Sequence, residues 1–265
     1  MDWSTTIAPC PSYVRLEPAK LQDLDGRTSQ TQRWRPWPDA QNRTAHGDLV
    51  VGGLKLHHFL NHTAIQINAG SPDKPRTPEG QIPSYRSLTL RNLDIGLIYR
   101  DQPGLHMDHL WIGGGQDPSI RPDVTFEDLF LHDGNEGVMP VLFECGAAWD
   151  SVIVRRVATV NCAHPFMVKL DNTAIREFII EDCPKLNICF QGWGEPLTVR
   201  VRNSAGIRLT TPRDNAGRPP NLTIVTEQDS LPQPLADVRS LLSQLGEVRQ
   251  QEQAILDQLA AIANG

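Results

Sequence analysis

Two acidic side chains, Asp108 and Glu127, are the residues of this sequence whose types and spacing could support catalysis. Each occupies the first polar position of a short phrase that recurs along the chain, so we expect them on neighbouring strands, about 4.8 Å apart. Two close carboxylates repel each other unless one keeps its proton or a cation lies between them. Glycoside hydrolysis also needs such a pair, one acid as proton donor and the other as base or nucleophile. The pattern leaves open a catalytic site, a cation site or a solvated surface pair.

The other residues with ligand chemistry are histidines and cysteines. His57 and His58 are consecutive on a predicted strand and should face opposite sides, so we do not expect them and His62 to form a metal site. The five cysteines have no Cys-x-x-Cys spacing, and neither a disulfide framework nor a zinc knuckle is indicated. Cys183 fills an apolar position of the repeated phrase and is expected in the core. We therefore expect no metal ion and no cofactor.

The repeated phrase consists of an apolar, an arbitrary and an apolar residue, two polar residues and another apolar residue. Its copies start at Leu54, Leu88, Leu105, Val124, Val152, Phe178 and Val199, with intervals of 34, 17, 19, 28, 26 and 21 residues. A short strand, a polar corner and another short strand, repeated every ~20–30 residues, are typical of a β-solenoid. We predict an all-β solenoid over residues 47–229, with about seven to eight coils of ~23 residues and an extra strand at 64–67.

The polar residues of the phrase should stack from coil to coil at the corners. The first members are His57, Arg91, Asp108, Glu127, Arg155, Glu181 and Arg202, and the second members are His58, Asn92, His109, Asp128, Arg156, Asp182 and Asn203. From Glu127 onward the first members alternate in sign, which predicts a row of ion pairs worth ~0.2–1 kcal/mol each. Asn and Asp among the second members suit sharp corners because they tolerate left-handed backbone.

The two ends of the chain differ from the solenoid. Residues 1–46 have no sustained period and are expected to form an arm that covers the first coil or reaches a partner, with Trp34 and Trp37 as apolar anchors. Residues 230–265 are predicted to form an amphipathic helix with a heptad repeat. Its apolar positions are Val238, Leu241, Leu245, Val248, Ile255, Leu259 and Ile262. Leucine at a with isoleucine at d favours three or four strands, and the alternative is a helix folded back on its own solenoid.

Composition excludes several classes of protein. The formal net charge of -6 argues against a nucleic-acid partner. No apolar run approaches the ~18 residues of a membrane span, so no membrane partner is expected. The start lacks the basic and apolar regions of a secretory signal, which predicts assembly in a cytoplasm.

The repeated phrase with Asn or Asp at its corner resembles the right-handed parallel β-helix of the pectin-lyase-like superfamily, over residues 47–229. The calcium-binding aspartates and catalytic basic residue of its pectate lyases match no set of residues here. The order of arm, β-helix and trimer-forming tail resembles virion proteins of tailed bacteriophages, such as tailspikes, fibres and capsid-decorating proteins. This resemblance implies a homotrimer that contacts capsid or tail proteins.

The sequence therefore predicts a structural virion protein, released from the host cytoplasm as part of the particle. One alternative is a polysaccharide-degrading enzyme that uses Asp108 and Glu127. The other is a non-catalytic module that binds a surface glycan or receptor through Trp111, Trp149 or Trp193, since exposed tryptophans stack on sugar rings. The three differ in their readout: assembly without product, product formation, or binding without product.

Overall fold

The computed structural model describes residues 10–11, 13–17, 22–25, 47–61, 63–68, 85–104, 107–113, 121–144, 148–171 and 174–227. Every strand or helix assigned within these ranges is a β-strand, so the described part of the chain is all-β, as predicted for residues 47–229. None of the described segments is a helix that could cross a membrane. Trp34, Trp37 and the predicted helix over residues 230–265 lie outside the described residues.

The strands form two sheets in which every pairing is parallel. The larger sheet contains, in order, β1 (Gln22–Asp25), β2 (Gly47–Leu60), β4 (Tyr85–Tyr99), β6 (Asp123–Gly134), β8 (Ala148–Cys162), β10 (Ala174–Glu181), β12 (Leu197–Arg202) and β14 (Leu222–Glu227). The smaller sheet contains, in order, β3 (Ile65–Asn68), β5 (Met107–Gly113), β7 (Val138–Glu144), β9 (Phe166–Lys169), β11 (Leu186–Gln191) and β13 (Ile207–Thr210).

From β2 onward the chain alternates between the two sheets, and each new strand lies beside the previous strand of its own sheet. We call one strand of the larger sheet together with the following strand of the smaller sheet a rung. Parallel strands need a crossover between them, and here the other sheet supplies it. The arrangement is compatible with a parallel β-helix. The predicted strand at residues 64–67 is confirmed as β3, which spans Ile65–Asn68.

Alternate residues of each rung point into one shared core, as the sequence predicts. Phe178 and Ile180 of β10 are fully buried, and their neighbours in register, Val199 and Val201 of β12, are buried too. Aromatic rings meet edge to face inside the core, with the Phe126 and Phe166 ring centroids 5.2 Å apart and those of Phe178 and Phe190 5.0 Å apart. Cys183 lies fully buried in this core, as predicted. Each fully buried valine, isoleucine or phenylalanine side chain contributes ~1.5–3 kcal/mol to folding.

The long strands of the larger sheet bend at two rows of residues with left-handed backbone. The first corner row contains Gly53, Asn92, Asp128, Arg156, Asp182 and Asn203, whose φ angles lie between 46° and 69°. The second corner row contains His58, Leu97, Asp133 and Asn161, with φ angles between 51° and 63°. Within each row the residues are aligned by the strand register. Left-handed corners at Asn92, Asp128, Asp182 and Asn203 confirm the prediction from their residue types.

Two copies of the repeated phrase were placed in the wrong register. Leu49, not Leu54, pairs with Leu88, so Gly52 and Gly53 hold the corner positions predicted for His57 and His58. The copy predicted at Leu105 falls on β5, in the smaller sheet. The phrase specifies only a polar bend between apolar residues, and both the second corner row and β5 satisfy that pattern. The 17-residue interval was short because it leads from one sheet to the other.

Described parts of the N-terminal region lie against the first rungs. Strand β1 pairs with the middle of β2, so it covers the outer edge of the first rung. Residues 13–17 cross the outer face, where Val14 packs on Phe130 and Ala158. The Glu17 backbone N–H donates a hydrogen bond to Asn92 Oδ1 (2.8 Å). These contacts place a short polar and apolar cover over the second to fourth long strands.

Candidate functional site

The structure does not stack the two acids singled out by the sequence. Asp108 lies on β5, where it pairs in register with Met139 of β7, and it is fully buried. Glu127 lies on β6 of the other sheet, between Arg91 and Arg155. The expectation that they are neighbours on adjacent coils is therefore wrong, because the phrase at Leu105 belongs to the smaller sheet. A two-carboxylate site of the glycosidase type would need both acids on one groove.

Glu127 instead begins a row of alternating charges, and this prediction is confirmed. Glu127, Arg155, Glu181 and Arg202 follow one another in register. Arg155 contacts Glu181 through Nε at 2.7 Å and Glu127 through Nη1 at 3.4 Å. The hydrogen bond that Arg155 donates to Glu181, together with the charges of both acids, raises the pKa of Arg155 against the cost of its partial burial. The row continues beyond the prediction, because Arg202 also contacts Glu227 at 2.7 Å.

Arg156, a residue of the first corner row, extends this ion-pair network to Asp128. Its Nε lies 2.6 Å from Asp128 Oδ1 and its Nη2 lies 2.7 Å from Glu127 Oε1. The hydrogen bonds with Asp128 and Glu127 raise the pKa of Arg156, although partial burial opposes the shift. Both carboxylates therefore accept hydrogen bonds from a guanidinium, which is the arrangement of a structural ion-pair network.

A cleft of about 590 Å³ lies along this corner. Its walls are formed by the N-terminal segment and the four long strands β2, β4, β6 and β8; the lining residues are Arg15, Glu17, Val50, Gly52, Gly53, Arg91, Asn92, Glu127, Asp128 and Arg156. The lining combines three arginines with three acids, so it presents both hydrogen-bond donors and acceptors. Polar groups of this kind on a rigid sheet suit a hydrated, neutral polar ligand better than an apolar one.

The three tryptophans considered for sugar stacking have different environments. Trp149 is buried and packs on Phe143, with ring centroids 5.1 Å apart. Trp111 is half-buried on β5. Trp193 is 40% exposed, but the Arg218 guanidinium lies over its ring, 4.9 Å from the centroid. Stacking of a sugar on that face would have to displace Arg218.

Among the described residues, three side chains that could bind a metal ion form a buried cluster that the sequence does not predict. It consists of His57 on β2, Asp94 on β4 and His132 on β6, and we call it the histidine–aspartate cluster. Asp94 Oδ1 lies 3.0 Å from His57 Nε2 and 3.0 Å from His132 Nε2. The two imidazole rings meet edge to face, with centroids 5.3 Å apart. One potential ligand atom from each residue lies within 4.8 Å of the others.

Strand register explains how three separate rungs meet at one point. His57 pairs with Gly96, and Gly96 pairs with His132, so the two histidines are two strands apart with a glycine between them. A Cβ atom on Gly96 would overlap the His132 ring. The missing side chain lets this ring lie across β4 toward His57 and Asp94. Gly96 is thus required by the close approach of a ring and not by its own backbone angle.

The surroundings of the cluster hold the His132 ring on every side. Its Nδ1 lies 2.8 Å from Asp133 Oδ2, and Phe130 stacks on the ring with centroids 4.4 Å apart. The backbone carbonyl of His132 lies 2.8 Å from Nε2 of the fully buried His109. Val14 of the N-terminal segment covers Phe130 from outside. Exposure is consequently small, 3% for His57, 8% for Asp94 and none for His132.

Burial shapes the ionisation of several groups here. Burial by itself would raise the pKa of Asp94, but hydrogen bonds from His132 and His57 outweigh it and hold that pKa well below its usual range. Burial and then the nearby Asp94 charge raise the pKa of the Cys10 thiol to about 11. Burial lowers the pKa of His109 to about 4, although its hydrogen bond to the His132 carbonyl favours the charged form. Burial therefore favours the neutral form of His109, while the histidine hydrogen bonds favour the negative form of Asp94.

The sequence carried only weak signals of this cluster. The histidines near His57 in sequence are His58 and His62, whereas its partners in the fold, Asp94 and His132, are 37 and 75 residues away. The one useful sign is a glycine inside an apolar strand, at Gly96, since such a glycine often marks a close approach. Chemically, two imidazoles and a carboxylate could hold a divalent metal ion or could form a closed hydrogen-bond network.

We compared the chain with protein-family models, with curated proteins and with solved structures. No family model matches it, and no curated protein or solved structure does either. What the chain does must therefore be argued from its own fold, corners and buried cluster.

Proposed function

We propose that this chain is a structural protein of a tailed-bacteriophage virion, built as a right-handed parallel β-helix that forms a homotrimer on the capsid or tail. The observation that carries the proposal is the unbroken strand order of both parallel sheets from β2 to β14. Such a ladder bonds its backbone continuously along one axis and makes a stiff rod. A rod can bridge subunits or present a surface without any catalytic step.

The corner chemistry supports a mechanical role. The candidate acid Glu127 is held by Arg155 and Arg156, and the charges alternate along the row from Glu127 to Arg202. A network of partly buried ion pairs resists local opening better than isolated surface pairs. Because Glu127 belongs to this network, a role in stabilising the stacked strands is favoured over a role in hydrolysis.

The last rung supports self-association. Ile224 of β14 is 47% exposed, and Ile207, Leu209 and Leu222 are only partly buried. Among the described strands, β14 pairs only with β12 and is the last strand of the larger sheet. Exposed strand edges need a cover, and two further copies of the chain joined through the heptad positions from Val238 to Ile262 would supply one.

The oligomeric state tests the first half of the proposal. The full chain at micromolar concentration is expected to have the mass of a trimer by light scattering. Deletion of residues 232–265, or the double variant Leu245→Asp/Ile255→Asp, should yield monomers. The matched variant Ser243→Asp/Gln250→Asp changes polar heptad positions and should remain trimeric. A monomeric full chain that the deletion leaves unchanged would contradict the heptad argument.

The second half concerns the particle. Antibodies against residues 47–227 are expected to label the capsid or tail of particles released from the source culture, in electron micrographs. Label confined to soluble protein, with none on particles, would refute a virion role.

The corner cleft favours one second candidate, a non-catalytic glycan-binding module. Its polar lining and its volume of about 590 Å³ would accommodate a small oligosaccharide. A glycan array is expected to show binding that Arg91→Ala weakens, without release of reducing sugar. The matched variant Arg176→Ala removes an exposed arginine outside the cleft and should bind normally.

A further inference from the structure

We propose that the histidine–aspartate cluster binds one Zn²⁺ ion, through His57 Nε2, His132 Nε2 and Asp94 Oδ1, and that the ion ties β2, β4 and β6 together. Two imidazole nitrogens and one carboxylate oxygen are ligands that zinc accepts, whereas calcium and magnesium prefer oxygen alone. The inference does not depend on the proposed virion role, because it concerns only this cluster.

The spacing of the ligand atoms fits a single ion. Zinc binds nitrogen and oxygen at about 2.0–2.1 Å, so two ligands of a tetrahedral ion lie about 3.3 Å apart. Both nitrogen–oxygen separations in the cluster are 3.0 Å. All three ligand atoms lie within 4.8 Å of one another.

Hydrogen-bond accounting gives an independent argument. His132 faces a carboxylate at each nitrogen, Asp94 at Nε2 and Asp133 at Nδ1. A neutral imidazole carries one N–H, so it can donate to only one of them. Zinc binding would place the proton on Nδ1, bonded to Asp133, and Nε2 would then give its lone pair to the ion in place of its hydrogen bond to Asp94. A carboxylate that orients a zinc-bound histidine through its other nitrogen is a recurring feature of zinc sites.

Charge and burial also favour a cation. Asp94 and Asp133 contribute two negative charges around a ring that is fully buried. Lys55 is the register neighbour of Asp94 on β2 and supplies one positive charge. Burying carboxylates costs free energy, and a cation held by His57, Asp94 and His132 would offset part of that cost. A zinc ion would satisfy both carboxylates, one directly and one through His132.

The role of the ion would be structural. The ligands belong to three successive strands of one sheet, and Phe130 and Val14 cover the site from outside. Cys10 lies near Asp94, but its sulfur is not among the atoms that cluster within 4.8 Å. The proposed ligand set therefore contains no thiolate.

The test uses the untagged full chain, stripped of metal by a chelator and titrated with Zn²⁺ in a calorimeter. We expect one Zn²⁺ per chain and a higher melting temperature with zinc than without it. His57→Gln should abolish binding while keeping a hydrogen-bond donor for Asp94, and Asp94→Asn should do the same at constant side-chain size. Asp133→Asn keeps a residue suited to left-handed backbone and should weaken binding ~10–100-fold, as expected for an orienting carboxylate.

His58→Asn is the matched control. It removes the adjacent histidine at a position with φ of 63°, which asparagine tolerates, and zinc affinity should not change. Substitution by Co²⁺ should give a spectrum without a thiolate charge-transfer band. No zinc binding by the wild-type chain, or full binding by folded His57→Gln and Asp94→Asn, would overturn the proposal. A thiolate band would overturn the ligand set.

Discussion

The two corner rows use the same backbone conformation for different purposes. The first row contains six residues, in four long strands and directly after β10 and β12, and charged residues beside it pair from rung to rung. The second row runs through four strands, and beside it lie the buried histidines and Asp94. A left-handed residue bends the chain in both places. The difference lies in what flanks the bend, solvent-facing ion pairs in one row and a covered polar cluster in the other.

The contrast indicates that the first corner row stabilises the fold, whereas the second lies beside residues that could bind a ligand. A regular row repeats its residue types because each rung needs the same corner. The second row includes Leu97, a residue with little intrinsic preference for a φ of 55°. Such strain persists only where the surroundings fix it, and it is commonest near functional sites. The irregular row is therefore where the chain departs from its own repeat.

The largest expected effect is acid destabilisation of the second row. His109 has a pKa of about 4 in the fold and 6.5 ordinarily, so below pH 6.5 the unfolded chain binds a proton that the native chain does not. Native stability should fall by about 3 kcal/mol between pH 6.5 and 4 from this residue. Urea unfolding across this range, compared with His109→Gln, measures the slope. Arg155 and Arg156 in the first row have raised pKa values and stay charged throughout. Equal slopes for the two proteins would contradict the prediction.

A second expected effect concerns the glycine between the histidines. Gly96→Ala should destabilise the fold by ~2–3 kcal/mol, because the new methyl group overlaps the His132 ring. Urea unfolding gives the magnitude. In a His132→Ala background the same substitution should cost much less, so the two changes should be non-additive. Additive losses would mean that the ring does not occupy the space above Gly96.

A smaller effect is expected in the first row. Arg156→Gln removes the contacts with Asp128 and Glu127 and should lower the free energy of unfolding by ~1–2 kcal/mol. Charge-assisted hydrogen bonds within a network stabilise a fold more than isolated surface ion pairs do. Added salt should reduce the difference from wild type. Arg176→Gln changes an arginine that is 67% exposed and should be nearly neutral. The comparison fails if both substitutions have the same effect.

The smallest effect tests whether both corner rows need their residues only for left-handed backbone. Asn203→Ala in the first row and Asn161→Ala in the second should each cost ~0.5–1 kcal/mol, because alanine resists left-handed backbone. Glycine at either position should cost only a few tenths, since it adopts that conformation freely. A large loss from Asn161→Gly, but not Asn203→Gly, would show that the Asn161 hydrogen bond to Asp133 matters more than the bend.

Sequence reasoning reached the parts of the fold that repeat. The register of Glu127, Arg155, Glu181 and Arg202 agrees with the prediction because the corner falls at the same position of the repeated phrase in each of these copies. It failed where a pattern of polar and apolar residues fits two places, as at Leu54, which lies between the two corners of β2. Polarity alone does not say which corner a copy occupies.

The buried cluster could not be predicted for another reason. Its members have no common phrase, and what joins them is the register of β2, β4 and β6, set by loops of different lengths. Asp94 and His132 meet only because Gly96 leaves space. Periodicity reports the regular backbone, whereas a contact across three strands depends on details of register that a single sequence does not carry.

The segment that crosses the outer face has a consequence for the order of synthesis. Val14 leaves the ribosome early, but its contacts Phe130 and Ala158 are translated more than a hundred residues later. At ~5–20 residues per second, this segment waits roughly 7–30 s for its binding surface. This segment therefore docks only after residues translated much later have folded, and until then the buried histidines stay open to solvent.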